Sequence, residues 1–139
     1  MHENPSRDQI KEILKQAETV AVVGLSDKPD RTSYMVSEVM QKKGYTIIPV
    51  NPNAEEILGQ KSYKSLKDIP QSVDIVNVFR RSEYTQPIAK EAVEIGAKVF
   101  WLQLGIINEE SAQIAKDGGL KVIMDRCIKV EDSILNPKG

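Results

Sequence analysis

The sequence predicts a doubly wound α/β protein: a parallel sheet of five to six strands with helices on both faces. Three observations carry this. Apolar, β-branched runs alternate with segments of helical spacing from one end of the chain to the other. Those runs are continuous instead of alternating apolar with polar, the pattern of strands buried on both sides. Glycine, proline or asparagine marks the junctions, with no internal linker or low-complexity stretch between them.

Residues 6–18 open with Ser6 as N-cap and carry Ile10, Ile13, Leu14 and Ala17 at helical spacing, a short helix covering one edge or face of the sheet. Strand one spans 19–24. A polar loop comes after it, then Thr32 or Ser33 caps a helix over 33–43 with Met35, Val36, Val39 and Met40 facing the core, stopped by Gly44. Strand two is 45–50, closed by the turn Asn51-Pro52-Asn53. Pro49 donates no ladder hydrogen bond, so that strand end belongs beside a bulge or at the rim. Residues 53–72 are the least regular: 57–59 and 61–63 suggest a short edge strand, and 65–70 a single helical turn. Strand three is 73–79, running into Arg80-Arg81. The next helix covers 84–95, with Pro87 in its first turn and Gly96 beyond its end. Strand four is 97–102. Asn108 caps the following helix, which turns Ala112, Ile114 and Ala115 inward and stops at Gly118-Gly119. Strand five is 120–124. The final dozen residues read as polar and loosely ordered, with 133–139 as a flexible tail.

Totals bound the function. With 139 residues, 40% of them hydrophobic and 28% charged, the chain is expected to fold as one domain with a real core. Nineteen basic side chains against 20 acidic ones give no global field to draw in nucleic acid, so any anion site must be local. One cysteine and one histidine, Cys127 and His2, exclude an internal disulfide and a Cys/His zinc site. No apolar run is long enough for a membrane span and no signal region stands after the start, which places the expected compartment in the cytoplasm.

In doubly wound folds ligands sit beyond the carboxyl ends of the strands. Strand one delivers Gly24, Leu25 and Ser26, then Lys28, Arg31 and Ser33. A strand, a tight loop and a helix start aim backbone N–H groups and a positive helix end at an anion, the signature of a phosphate site. The plain alternative is an ordinary βα turn. Strand two delivers Asn51 and Pro52, strand three Phe79, Arg80 and Arg81, strand four Trp101, Gln103 and Gly105, and strand five Asp125, Arg126 and Cys127. A nearly neutral chain thus gathers arginines on one rim. The dinucleotide fingerprint is absent: Gly24 begins it, but Ser26 and Pro29 occupy the second and third glycine positions. Strand two ends in Asn51 and not in the carboxylate that binds a free ribose hydroxyl. A phosphorylated nucleotide derivative fits better than NAD, and both NADP and coenzyme A meet that description.

Five stretches, in order, carry a resemblance: Val-Val-Gly-Leu-Ser at 22–26 with Arg31 and Ser33, Ile-Pro-Val-Asn-Pro at 48–52, Val-Phe-Arg-Arg at 78–81, Trp-Leu-Gln-Leu-Gly at 101–105 and Met-Asp-Arg-Cys at 124–127. Over roughly residues 5–132 the chain resembles the small stand-alone CoA-binding proteins, which are similar to the N-terminal CoA-binding domain of the succinyl-CoA synthetase alpha subunit. The resemblance implies a Rossmann-like fold holding CoA or an acyl-CoA across the strand-end crevice, with the adenine end near strand two. It implies no established catalysis: the synthetase's phosphohistidine belongs to a different domain, and no histidine here stands in for it. A homodimer, an unknown protein partner, or service as a detached subunit of an acyl-CoA ligase are the associations it suggests.

The expected CoA-binding residues are therefore Gly24, Leu25, Ser26, Arg31, Ser33, Pro49, Asn51, Pro52, Phe79, Arg80, Gln103 and Gly105, with no catalytic or metal-binding residue. Each has a structural alternative. Gly24 and Ser26 could serve turn geometry alone. Arg31 could pair with Asp27 or Asp30, and Arg81 with Glu83. Asn51 could bond its own turn, and Pro49 and Pro52 could shape an adenine wall or end the strand. Trp101 is either crevice or core, while Gln103 and Gly105 suit the pantetheine amides. Cys127 is either an inert small group or a reactive thiol able to form a mixed disulfide with CoA. Two other functions stay in view. An NADP-dependent oxidoreductase lacks support from the glycine pattern, and neither Tyr34 nor Tyr84 begins a Tyr-x-x-x-Lys pattern. A protein-interaction domain with a vestigial crevice leaves the clustered arginines without an anion.

Overall fold

The computed structural model describes residues 1–139. Its strands are β1 (Thr19–Val23), β2 (Thr46–Val50), the two-residue β3 (Glu56–Ile57) and β4 (Gln60–Lys61), β5 (Ile75–Val78), β6 (Val99–Leu102) and β7 (Lys121–Ile123). The helices are α1 (Arg7–Gln16), α2 (Thr32–Lys42), α3 (Thr85–Glu94), α4 (Glu109–Asp117) and α5 (Ile128–Leu135). Five strands form one parallel sheet in the order β2-β1-β5-β6-β7. The chain builds outward first to one side of β1 and then to the other, so the switch point lies between β1 and β5.

Side chains alternate across each strand, and the two faces bury separate cores. On one face Ala21, Val23, Ile48, Val76, Phe100 and Val122 pack against α3 and α4 through Ala89, Ala92, Ala112 and Ala115. On the other, Val20, Val22, Ile47, Ile75, Trp101 and Ile123 pack against α1, α2 and α5 through Ile10, Leu14, Val36, Met40 and Ile128. The doubly wound fold is thereby established. Full burial of each large aliphatic contributes roughly 1.5–3 kcal/mol. Helix starts match the sequence at α1 and α4. Ser6 and Gln9 form a reciprocal capping box, at 3.2 and 2.9 Å, and Asn108 accepts the Ser111 N–H at 2.8 Å.

Four expectations are corrected. Neither Thr32 nor Ser33 caps α2; the N-cap is Arg31, and the inward stripe is Ser33, Val36, Ser37 and Met40. Met35 is 47% exposed and not core. The 57–63 segment is a small antiparallel hairpin of β3 and β4, separate from the main sheet. Beyond it Tyr63 clasps the β2 edge, donating its N–H to the Pro49 carbonyl at 3.0 Å and accepting from Asn51 N–H at 2.9 Å. The expectation for Pro49 holds in its second form: it is the fourth of five residues in β2, opposite Val22 without a bulge, and lies at the rim because β2 is the edge strand. Finally, most of the last dozen residues are regular structure: Ile128–Leu135 is a helix, ended by Asn136 in the left-handed conformation.

That last helix buries carboxylates. Asp132 lies 2.6 Å from the Tyr45 hydroxyl and pairs with Lys43 at 2.9 Å, while Glu131 meets Arg7 at 3.5 Å. Burial, and then the Asp132 hydrogen bond, hold the Tyr45 phenol far above its ordinary range, so it stays a donor at any working pH.

Candidate functional site

The loop after β1 is wedged between the ends of β2 and β5. Gly24 N–H donates to the Val50 carbonyl at 3.1 Å, and Phe79 N–H donates to the Val23 carbonyl at 2.9 Å. Gly24 has φ +87°, and a Cβ there would stand 2.8 Å from the Phe79 carbonyl oxygen. Only glycine fits so close an approach. Two serines then shape the loop. The Ser33 hydroxyl accepts the Ser26 N–H at 3.0 Å, and the Ser26 hydroxyl accepts the Lys28 N–H at 3.1 Å. Each hydroxyl accepts in these bonds, so its own proton is left to donate outward. No side chain caps α2 and its first turn holds no acidic residue. Its opening N–H groups and positive end are thus unneutralised.

A cleft of about 600 Å³ lies beyond the ends of β5 and β6, bounded by Phe79, Arg80, Arg81, Gln103, Gly105 and Cys127. Thr32, the first residue of α2, also lines it, which brings the open helix end to its wall. Gln103 is only 4% exposed. Its carbonyl oxygen accepts the Ile128 N–H at 3.0 Å, closing the start of α5, and its amide nitrogen has no protein partner. Gly105 N–H donates to Asp125 Oδ1 at 2.7 Å, so Asp125, at φ +59°, ties the β6 loop to the β7 loop. Trp101 is wholly buried with its indole N–H donating to the Arg126 carbonyl at 2.8 Å, which settles it as core. Cys127 is half-buried.

Charge is distributed unevenly. The four ion pairs are Arg7–Glu131, Lys43–Asp132, Lys67–Glu94 and Lys98–Asp74, all away from this rim. Arg31, Arg80 and Arg81 form none, so neither the Arg31 pairing with Asp27 or Asp30 nor the Arg81–Glu83 pairing is made. Arg80 instead lies 5.0 Å from the centre of the Tyr84 ring.

The strand-two residues stand apart. Leu25 is buried in the core and offers only its backbone, whose carbonyl accepts from Asn51 Nδ2 at 2.9 Å. Asn51 Oδ1 accepts the Asn53 N–H at 2.8 Å, so the side chain is consumed by its turn and by the β1 loop. Pro49 is buried and Pro52 exposed. Next to them a hollow of about 120 Å³ is lined by Val50, Lys64, Ser65 and Arg80. Lys64 and Ser65 were missed from the sequence because the irregular 53–72 stretch has no period to place them. A third hollow, of about 400 Å³, lies at the amino ends of the strands among Glu12, Asp74, Lys98 and Lys121, where Lys98 pairs with Asp74 at 3.4 Å. No group of three His, Cys, Asp or Glu side chains is placed to hold a metal ion. The strand-end cleft therefore offers free cations, open N–H groups and a spare amide donor, which is equipment for binding an anion.

Comparison with known proteins agrees with that chemistry. Residues 18–133 match the family described as CoA binding domain. YneT, an uncharacterized protein of Bacillus subtilis strain 168, is 56% identical over 132 residues, covering 95% of this chain and 98% of its own. The alpha subunit of ADP-forming acetate–CoA ligase II of Pyrococcus furiosus is 28% identical over 128 residues, 84% of this chain but 28% of the subunit. A hypothetical protein from Pyrococcus horikoshii OT3 superposes with a TM-score of 0.92 at 35% identity, covering 98% of this chain and 99% of the other. The chain thus spans under a third of the ligase subunit, and nearly all of the other two proteins.

Proposed function

This chain belongs to the CoA-binding domain family, and from that premise we propose that it binds CoA or an acyl-CoA in the strand-end cleft without chemistry of its own. The diphosphate lies on the β1–α2 loop, received by the backbone after Gly24, the hydroxyls of Ser26 and Ser33, the open end of α2 and the Arg31 guanidinium. The adenine end lies toward Pro52 and the hollow holding Lys64. The pantetheine arm runs past Phe79 to Gln103 and Gly105. One observation carries this reading: every ion pair lies elsewhere, while three arginines at or beside the cleft have no carboxylate partner. Such a rim repels itself until an anion with several charges fills it. The relationship to an acetate–CoA ligase subunit supports a role as a carrier or detached ligand-binding subunit in the cytoplasm.

The test is a set of calorimetric titrations with CoA, acetyl-CoA, 3′-dephospho-CoA, NADP and NAD. The expected pattern is binding of CoA and acetyl-CoA, weaker binding without the 3′-phosphate, and no response to either dinucleotide. Binding of NADP but not CoA would move the protein to the oxidoreductases. Silence from all five ligands would leave a protein-interaction domain.

A further inference from the structure

We propose that Arg80 is a latch across the ligand groove: its side chain parts the groove into two hollows and is drawn off Tyr84 by the phosphates of a ligand long enough to occupy both. This rests on the CoA reading and adds a moving part to it.

Arg80 borders both hollows at the strand ends. It lines the cleft of about 600 Å³ with Phe79, Gln103 and Gly105, and the smaller one of about 120 Å³ with Lys64 and Ser65. No other residue is common to the two walls. Its stem lies over Gly24, with Cδ 3.1 Å from where a Cβ on that glycine would stand. On one side Gly24 bonds Val50, which lines the smaller hollow; on the other it abuts Phe79, which lines the cleft. The stem therefore crosses the boundary between the two.

The far end of the side chain is held by a ring and not by a charge. The guanidinium carbon lies 5.0 Å from the centre of the Tyr84 ring, and Arg80 pairs with no carboxylate. Tyr84 is 48% exposed and lines neither hollow. Stacking on so exposed a ring is a weak hold, and a phosphate offering two oxygens to the guanidinium fork is a stronger one. A ligand reaching from Lys64 to Gln103 has to pass this side chain. Only a ligand with anionic groups at its middle offers Arg80 a better partner than Tyr84. CoA has that form, with adenosine at one end, pantetheine at the other and a diphosphate between them. A ligand confined to one hollow leaves the latch on Tyr84. Because the bound state forfeits the stacking, a stronger stack lowers affinity and a weaker one raises it.

The experiment is calorimetric titration of CoA into the wild-type chain, Tyr84→Leu, Tyr84→Phe, Tyr84→Trp, Arg80→Ala and the double variant Tyr84→Leu with Arg80→Ala, each melted first to show that it is folded. Tyr84→Leu should bind CoA roughly two- to fivefold more tightly than the wild type, the worth of an exposed cation–π contact. Tyr84→Phe keeps a ring and should match the wild type, while Tyr84→Trp, the better π-partner, should bind more weakly. Arg80→Ala should lose affinity, and in its background Tyr84→Leu should change nothing, since no latch is left to release. Affinity in Tyr84→Leu equal to or below the wild type, or a gain that persists without Arg80, overturns the latch and leaves the CoA reading standing. A wild-type chain that does not bind CoA removes both.

Discussion

Gly24→Ala offers a sharp test of how the site is built, because Gly119→Ala is its internal control. Both glycines hold nearly the same backbone conformation, φ +87° and +90°, but a Cβ on Gly119 meets nothing within 4 Å. The conformational penalty is therefore shared, about 1–2 kcal/mol for a side chain in the left-handed region. At Gly24 a contact term is added. The Cβ would lie 2.8 Å from the Phe79 carbonyl oxygen, on backbone anchored by the Phe79 N–H bond to Val23 at 2.9 Å. Forcing such a contact typically costs a further 1–3 kcal/mol, roughly. Gly119→Ala should then lose about 1–2 kcal/mol and Gly24→Ala about 2–5. At about 4 °C per kcal/mol, the melting temperature falls by about 4–8 °C in the first and about 8–20 °C in the second. Urea unfolding checks the same difference through the midpoint at constant slope. Equal losses in the two variants would show that the β1 and β5 loops separate freely, and the argument for a glycine at this close approach would be wrong.

Other substitutions separate binding from stability. Arg31→Ala should weaken CoA by roughly 10- to 150-fold, the loss of one charge-assisted contact, with the melting temperature almost unchanged, because the side chain makes no cap bond. Unchanged affinity would reduce this loop to a turn. Asp74 accepts the N–H groups of Glu18 and Thr19 at 2.8 and 3.1 Å and faces Lys98 at 3.4 Å. Burial works to raise its pKa, but these donors outweigh it and hold the carboxyl below its ordinary 3.8. Its contribution is complete above the ordinary carboxylate range and is lost as pH falls through the lowered value. Asp74→Asn should therefore destabilise at neutral pH and flatten the acid limb of a stability–pH curve; an unchanged limb would contradict the assignment. Tyr45→Phe removes the donor to buried Asp132, and should cost about 1–3 kcal/mol in urea melts. A neutral result would mean that Lys43 alone satisfies that carboxylate.

The five strands of the main sheet and four of the helices were legible because their signals are local: unbroken apolar runs, and caps such as Ser6 with Gln9 and Asn108 with Ser111. α5 was not, since apolar counting takes carboxylates as solvent-facing. In this helix Glu131 and Asp132 point inward, while Val130 and Ile134 are 44% and 55% exposed. The groups that reverse the pattern, Arg7, Lys43 and Tyr45, lie far away in the sequence. α2 was misphased for a related reason. Its buried stripe includes Ser33 and Ser37, and a stripe read from large apolar residues alone drew Met35 inward. At the site, reading the strand ends put Arg80 and Arg81 on one rim, and both line the cleft. Strand position alone could not separate residues whose polar atoms are spent within the protein, such as Asn51, from those left free, such as the amide nitrogen of Gln103. That distinction depends on partners supplied by other loops.

The edges of the sheet decide how this protein can associate. β2 presents Pro49, which has no N–H, and Tyr63 already occupies the neighbouring carbonyl and amide. At the opposite margin β7 has three residues, and the Asn4 side chain takes both the carbonyl and the N–H of Met124 just beyond it, at 2.8 and 2.9 Å. A side-chain amide from near the start of the chain thus imitates the strand that would otherwise extend the sheet. With each margin covered at its carboxyl end, a second subunit finds only a short ladder to continue. That leaves the helix surfaces and the mouth of the cleft as the larger uncovered faces, and an encounter at the mouth would bury whatever the cleft holds.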